Sequence, residues 1–206
     1  MADLWDSIEF RSKIDEAKQR IREIADSPEK QNFKELYLMG IVTPLLDELG
    51  ADPAVIVGGH AVELYTSGSY TTADIDLVMV RDDLARQLFD ELGLRREGRF
   101  HYADELDVPI EIPSSHLAGS LERVVKLSTP DGYCYVIGIE DLILDRLNAA
   151  EFWQDVRSLE WARYLMASQL ERVDFDYMRQ KAAEEHTSLL RRLEETIEWV
   201  RRNSDE

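Results

Sequence analysis

Cysteine is nearly missing from this chain. Cys134 is the only one in 206 residues, which excludes an internal disulfide and any multi-cysteine zinc site. Lysine is scarce as well: 6 lysines stand beside 18 arginines, and these 24 basic side chains face 42 acidic ones, for a formal net charge of −18. A surface so short of positive charge argues against extended DNA or RNA binding, which needs Lys and Arg along the phosphate backbone. A short RNA end, met through metal ions or a local arginine cluster, is not excluded. No apolar run approaches the roughly 20 residues of a membrane span. The opening Met1-Ala2-Asp3-Leu4-Trp5-Asp6 is acidic where a signal peptide would be basic. These absences predict a cytoplasmic protein with no membrane partner. Neither GxGxxG nor a Walker A lysine motif is found, and His101, His116 and His186 lack the paired spacing of a zinc site.

What is present centres on residues 55 to 80. A short apolar run, Val55-Ile56-Val57, breaks at Gly58-Gly59, and Asp74-Ile75-Asp76-Leu77-Val78 begins 15 residues after Gly59. In a strand, side chains at i and i+2 share a face, so Asp74 and Asp76 present two carboxylates side by side. Hard oxygen ligands at that spacing suit Mg²⁺ or Mn²⁺. Two carboxylates would repel a nucleoside triphosphate unless divalent cations lay between them. Glycines at 58 and 59 let backbone N–H groups approach phosphate, and a helix starting near His60 aims its positive end at the same anion. His60 itself either contacts phosphate or only starts that helix.

The segment Gly58-Gly59-His60-Ala61, followed by Gly68-Ser69-Tyr70-Thr71-Thr72-Ala73-Asp74-Ile75-Asp76-Leu77, resembles the nucleotidyltransferase superfamily of the DNA polymerase beta-like fold, in particular its small prokaryotic stand-alone and type IV toxin-like branch. Ile139-Glu140-Asp141-Leu142-Ile143-Leu144-Asp145-Arg146-Leu147 looks like the helix that follows the catalytic sheet in such proteins, and the resemblance covers about residues 50 to 180. It implies metal binding by Asp74, Asp76 and a third acidic residue on a neighbouring strand. Glu111, within Val108-Pro109-Ile110-Glu111-Ile112, is the candidate and Asp107 its competitor; the family more often has Asp at this position. It further implies that Gly58 and Gly59 hold the triphosphate, that Ser69 or Thr72 donates to phosphate, and that Arg146 pairs either with the triphosphate or with Asp141. The implied partners are an NTP, an RNA 3′ end or protein hydroxyl as acceptor, and a cognate antitoxin if the chain serves a toxin–antitoxin or phage-defence system. A non-catalytic nucleotide-sensing or protein-binding descendant is the alternative.

The expected fold class is α+β: a mixed, twisted nucleotidyltransferase sheet with an N-terminal helical hairpin (residues 1–50), an α/β core (51–138) and a C-terminal helical bundle (139–206), all in one globule. Ile14, Ala17, Ile21 and Ile24 form one helical stripe. Ser27 reads as the N-cap of a second helix with Pro28 in its first position, interrupted before Pro44 and ending near Gly50. Asp82 to Leu92 reads as a helix, and strands are expected at 99–103, 108–112, 124–128 and 133–137. Pro109 predicts that the Glu111 strand lies at an edge or a bulge. Helices follow at 139–149, 151–168, 174–185 and 187–202, with Trp153, Val156, Leu159, Trp161, Tyr164 and Leu165 supplying apolar faces. The tail from Asn203 to Glu206 should fray.

Overall fold

A computed structural model describes residues 2–80 and 83–203. Asp82 and the tail residues 204–206 lie outside the described residues. After a single helical turn (α1, Ala2–Trp5), α2 (Ile8–Asp26) and α3 (Gln31–Leu49) pack on one another. The alternation β1 (Val55–Val57), α4 (Gly58–Tyr65), β2 (Ile75–Val78), α5 (Asp83–Leu92) follows, then β3 (Arg95–Glu97), β4 (Phe100–Ala103) and β5 (Val108–Ser114). A hairpin of β6 (Val125–Thr129) and β7 (Gly132–Val136) leads into α6 (Ile139–Phe152), α7 (Val156–Ser168), α8 (Phe175–Glu185) and α9 (Thr187–Asn203). The seven strands form one sheet in the order β3-β4-β5-β2-β1-β7-β6. Pairing is mixed: β1 runs parallel to β7 and β2 to β5, while β1/β2, β3/β4, β4/β5 and β6/β7 are antiparallel. The molecule is α+β, with helices at both chain ends and one hydrophobic cluster running from Trp5 to Val200.

Helix α2 buries Phe10, Ile14, Ala17, Ile21 and Ile24, the stripe its periodicity dictates. Ser27 acts otherwise than its sequence context suggests. Its N–H and its hydroxyl both donate to the Ile24 carbonyl, so it closes α2 rather than opening α3, which starts at Gln31. Pro44 does not interrupt α3. The ring of a helical proline presses on the carbonyl four residues earlier, here Gly40. Gly132, at the turn of the β6/β7 hairpin, has no side chain where a Cβ would crowd that Gly40 carbonyl and the Pro44 ring. Packing of α3 against β7 therefore carries the helix through the proline. Asp47, near the end of α3, accepts hydrogen bonds from both Tyr133 and Tyr135 of β7 at 2.8 Å.

The sheet corrects two further expectations. Strand β5 is interior, between β4 and β2, although it contains Pro109. The parallel ladder to β2 begins only at Ile110, so the residue without an N–H lies at the strand's start, where it is tolerated. Arg95–Glu97 adds an edge strand with no apolar alternation to announce it: all three residues are exposed. In the C-terminal bundle, Leu165 is buried and Leu159 and Trp161 pack against the core, but Trp153 is 82% exposed and Val156 70% exposed.

Candidate metal and nucleotide site

The site forms where β1 ends, α4 begins and β2 starts. Val57 pairs with Asp76 across β1/β2, and Asp76 pairs with Glu111 across β2/β5. Register pairs project to the same face of a sheet, so Glu111 is brought beside Asp76 by hydrogen bonding between strands rather than by sequence proximity. Asp74, two residues before Asp76, joins them. One carboxylate oxygen from each of Asp74, Asp76 and Glu111 lies within 4.8 Å of the other two. Asp107 is not in this group. It sits exposed in a left-handed conformation (φ 54°) at the turn preceding β5.

The surrounding groups hold these carboxylates in particular ways. The Thr72 hydroxyl donates to Asp74 Oδ1 at 2.9 Å, and the Thr72 N–H donates to Glu63 Oε2 at 3.2 Å. The Gly59 N–H donates to the Asp76 carboxylate. Gly58 has φ of +60°, and a Cβ there would overlap the Asp76 carboxylate, so the glycine both makes the turn and leaves Asp76 its place. Burial pushes the Asp76 pKa up to about 6, reinforced by the charges of Asp74 and Glu111 and opposed by the Gly59 N–H and by Arg146. Three half-buried carboxylates crowding one another, all with hard oxygen donors, present the electrostatic situation that a bound Mg²⁺ or Mn²⁺ relieves.

The remaining predicted residues take varied positions. Ser69 is exposed, and Tyr164 of α7 donates a hydrogen bond to its hydroxyl at 3.3 Å. Tyr70 packs edge-on against Trp161 with centroids 4.7 Å apart. Arg146 is close enough to Asp76 to lower its pKa, but its direct partner is the neighbouring Asp145. It does not pair with Asp141, which accepts instead from Tyr177 Oη at 2.6 Å and from the Ser120 N–H at 2.9 Å. His60 is fully buried, so it is not a surface contact for phosphate.

One site neighbour escaped the sequence reading. The Arg99 guanidinium lies 3.3 Å from Glu111 Oε1. The antiparallel register that opposes Phe100 to Glu111 brings Arg99 there, and only that register, not the local sequence, could have revealed it.

No family model and no curated protein matches the chain. Among solved structures it is similar to a solution structure of the antibiotic-resistance factor ANT(2'')-Ia, at 17% sequence identity and a TM-score of 0.44, covering 70% of this chain and 91% of that one. Among the described residues no helix is long and apolar enough to cross a membrane.

Proposed function

We propose that this chain is a metal-dependent nucleotidyltransferase, moving a nucleoside monophosphate from an NTP to an acceptor hydroxyl with release of pyrophosphate. The observation that carries this reading is the convergence of Asp74, Asp76 and Glu111 beside a Gly-Gly turn at the start of a helix. Mg²⁺ or Mn²⁺ held by these three residues supplies charge neutralisation of the triphosphate and a more acidic acceptor hydroxyl. The protein's own groups do the positioning. Thr72 fixes the Asp74 carboxylate through its hydroxyl. Gly58 keeps the ground beside Asp76 clear. Arg146 would add positive charge beside Asp76. The Gly59 N–H and both Thr72 donors are given to Asp76, Glu63 and Asp74, so in this reading Gly58, Gly59 and Thr72 shape the carboxylates while the exposed Ser69 hydroxyl is left to meet a phosphate.

The acceptor in this reading is an RNA 3′ end or a protein hydroxyl, in a cytoplasmic toxin–antitoxin or phage-defence system where a separate antitoxin chain would be the partner. The three-part organisation (1–50, 51–138 and 139–206) belongs to the same reading. The test is incubation of the protein with each labelled NTP and Mg²⁺ or Mn²⁺, with cellular RNA or the protein itself as acceptor. Label should enter the acceptor with the native chain and not with a folded Asp76→Asn variant; equal transfer by that variant refutes the assignment.

A second reading, a nucleotide-binding module without turnover, is favoured by one observation: Glu111 is already paired with Arg99. Metal-dependent NTP binding with no label transfer to either acceptor would select it.

A further inference from the structure

A second polar cluster lies behind the site, and the reaction proposed above does not use it. His60 and Glu63, three residues apart on α4, share one face of that helix, and Glu35 of α3 meets them there. All three are buried: His60 is 0% exposed, Glu35 2% and Glu63 4%. One ligand atom from each lies within 4.8 Å of the other two.

Protein groups satisfy only part of this cluster. His60 Nδ1 is 3.1 Å from Glu35 Oε2, within ion-pair distance, but the two atoms do not meet in hydrogen-bond geometry. Among the described residues, neither imidazole nitrogen nor Glu35 Oε2 has a hydrogen-bond partner. A buried polar group left unpaired costs about 1–3 kcal/mol. Two buried carboxylates against one imidazole also leave at least one negative charge without compensation when both are ionised. A divalent cation would answer both problems, since two carboxylates and a neutral imidazole balance its charge and turn unpaired lone pairs into ligand bonds.

We propose that Glu35, His60 and Glu63 form a buried binding site for a divalent transition-metal ion of the Zn²⁺ type. The imidazole nitrogen selects this class over Mg²⁺, whose ligands are oxygen. Bonds of about 2.0–2.2 Å would draw the three ligand atoms toward a common centre. Access exists: Glu63 also lines an open cavity of about 540 Å³, together with Gln31, Asn32, Leu36 and Thr71. The ion would tie α3 to α4. Because Glu63 also receives the Thr72 N–H, and Thr72 holds Asp74, the same ion would brace the loop that carries the first carboxylate.

The test uses the full chain carrying Asp74→Asn, Asp76→Asn and Glu111→Gln, so that its outcome is independent of the nucleotidyltransferase reading. The protein is stripped with chelator, exposed to Zn²⁺ alone and dialysed, and bound metal is counted by emission spectroscopy. One Zn²⁺ per chain, with a raised melting temperature, is expected; adding Glu35→Gln or His60→Asn should remove it. Because buried substitutions can unfold a protein, ¹⁵N-histidine NMR of the chain with Glu35, His60 and Glu63 intact gives a second reading. A buried imidazole nitrogen that shifts on Zn²⁺ addition supports the site. Absence of bound zinc, an ion retained in folded His60→Asn protein, or unmoved histidine signals would overturn it.

Discussion

Gly58 and Asp76 are fitted to one another: the glycine turns the chain at φ +60°, and the Asp76 carboxylate fills the space that a side chain at 58 would occupy. Gly58→Ala therefore meets two penalties. A left-handed conformation costs a non-glycine residue about 1–2 kcal/mol, and the new methyl must displace the Asp76 carboxylate, a proposed metal ligand. The expected result is a folded, mildly destabilised protein whose metal affinity falls about 10–100-fold, the range found when a group positioning a ligand is lost. Calorimetric titration with Mn²⁺ measures it, and wild-type affinity would show that Asp76 is not a ligand in this geometry.

The raised pKa of Asp76 has a thermodynamic consequence in metal-free protein. The folded-state value of about 6 exceeds the ordinary 3.8, so the folded chain holds this proton more tightly than the unfolded chain. Ionisation then opposes folding, and the stability contributed by the neutral form is lost as pH rises from about 4 through 6. Asp76→Asn, which cannot ionise, should gain melting temperature over the native protein in EDTA, more at pH 8 than at pH 5. Saturating Mg²⁺ should shrink the gap at pH 8. A gap that is constant with pH would mean that Asp76 titrates normally.

Asp47 tests the fold apart from the site. It receives both the Tyr133 and the Tyr135 hydroxyls, joining the end of α3 to β7. Asp47→Ala should cost about 1.5–3 kcal/mol in urea unfolding, the range for loss of a hydrogen bond to a charged group. Nucleotide transfer per folded molecule should be unchanged, because Asp47 contacts β7, which β1 separates from the β2 and β5 strands that carry Asp76 and Glu111.

The carboxylate site was the most legible part of this chain because its signals are local. Asp74 and Asp76 at i and i+2, and a Gly-Gly break after an apolar strand, state geometry within a few residues. Glu111 was readable as a type of position but not as a neighbour; only the β2/β5 register puts it opposite Asp76. Elements failed where tertiary packing outweighed local preference. Pro44 remains helical because α3 is held against β7, and Pro109 sits in an interior strand, paired with Tyr102 of β4 but ahead of the parallel ladder to β2. Strand β3 was invisible because its exposed Arg-Arg-Glu has no alternation to read. The Glu35–His60–Glu63 cluster shows the same limit. Its α4 half has readable i, i+3 spacing, but Glu35 comes 25 residues before His60, in a helix whose apolar pattern gives no reason to single it out.

The measurement that bears most directly on the central claim compares NTP labelled at the α-phosphate with NTP labelled at the γ-phosphate, in the same Mg²⁺ reaction with RNA or protein acceptor. Nucleotidyl transfer predicts α-label in the acceptor and γ-label only in released pyrophosphate, both abolished by EDTA. Transfer of γ-label to the acceptor, or release of γ-label as inorganic phosphate without α-label transfer, would contradict it.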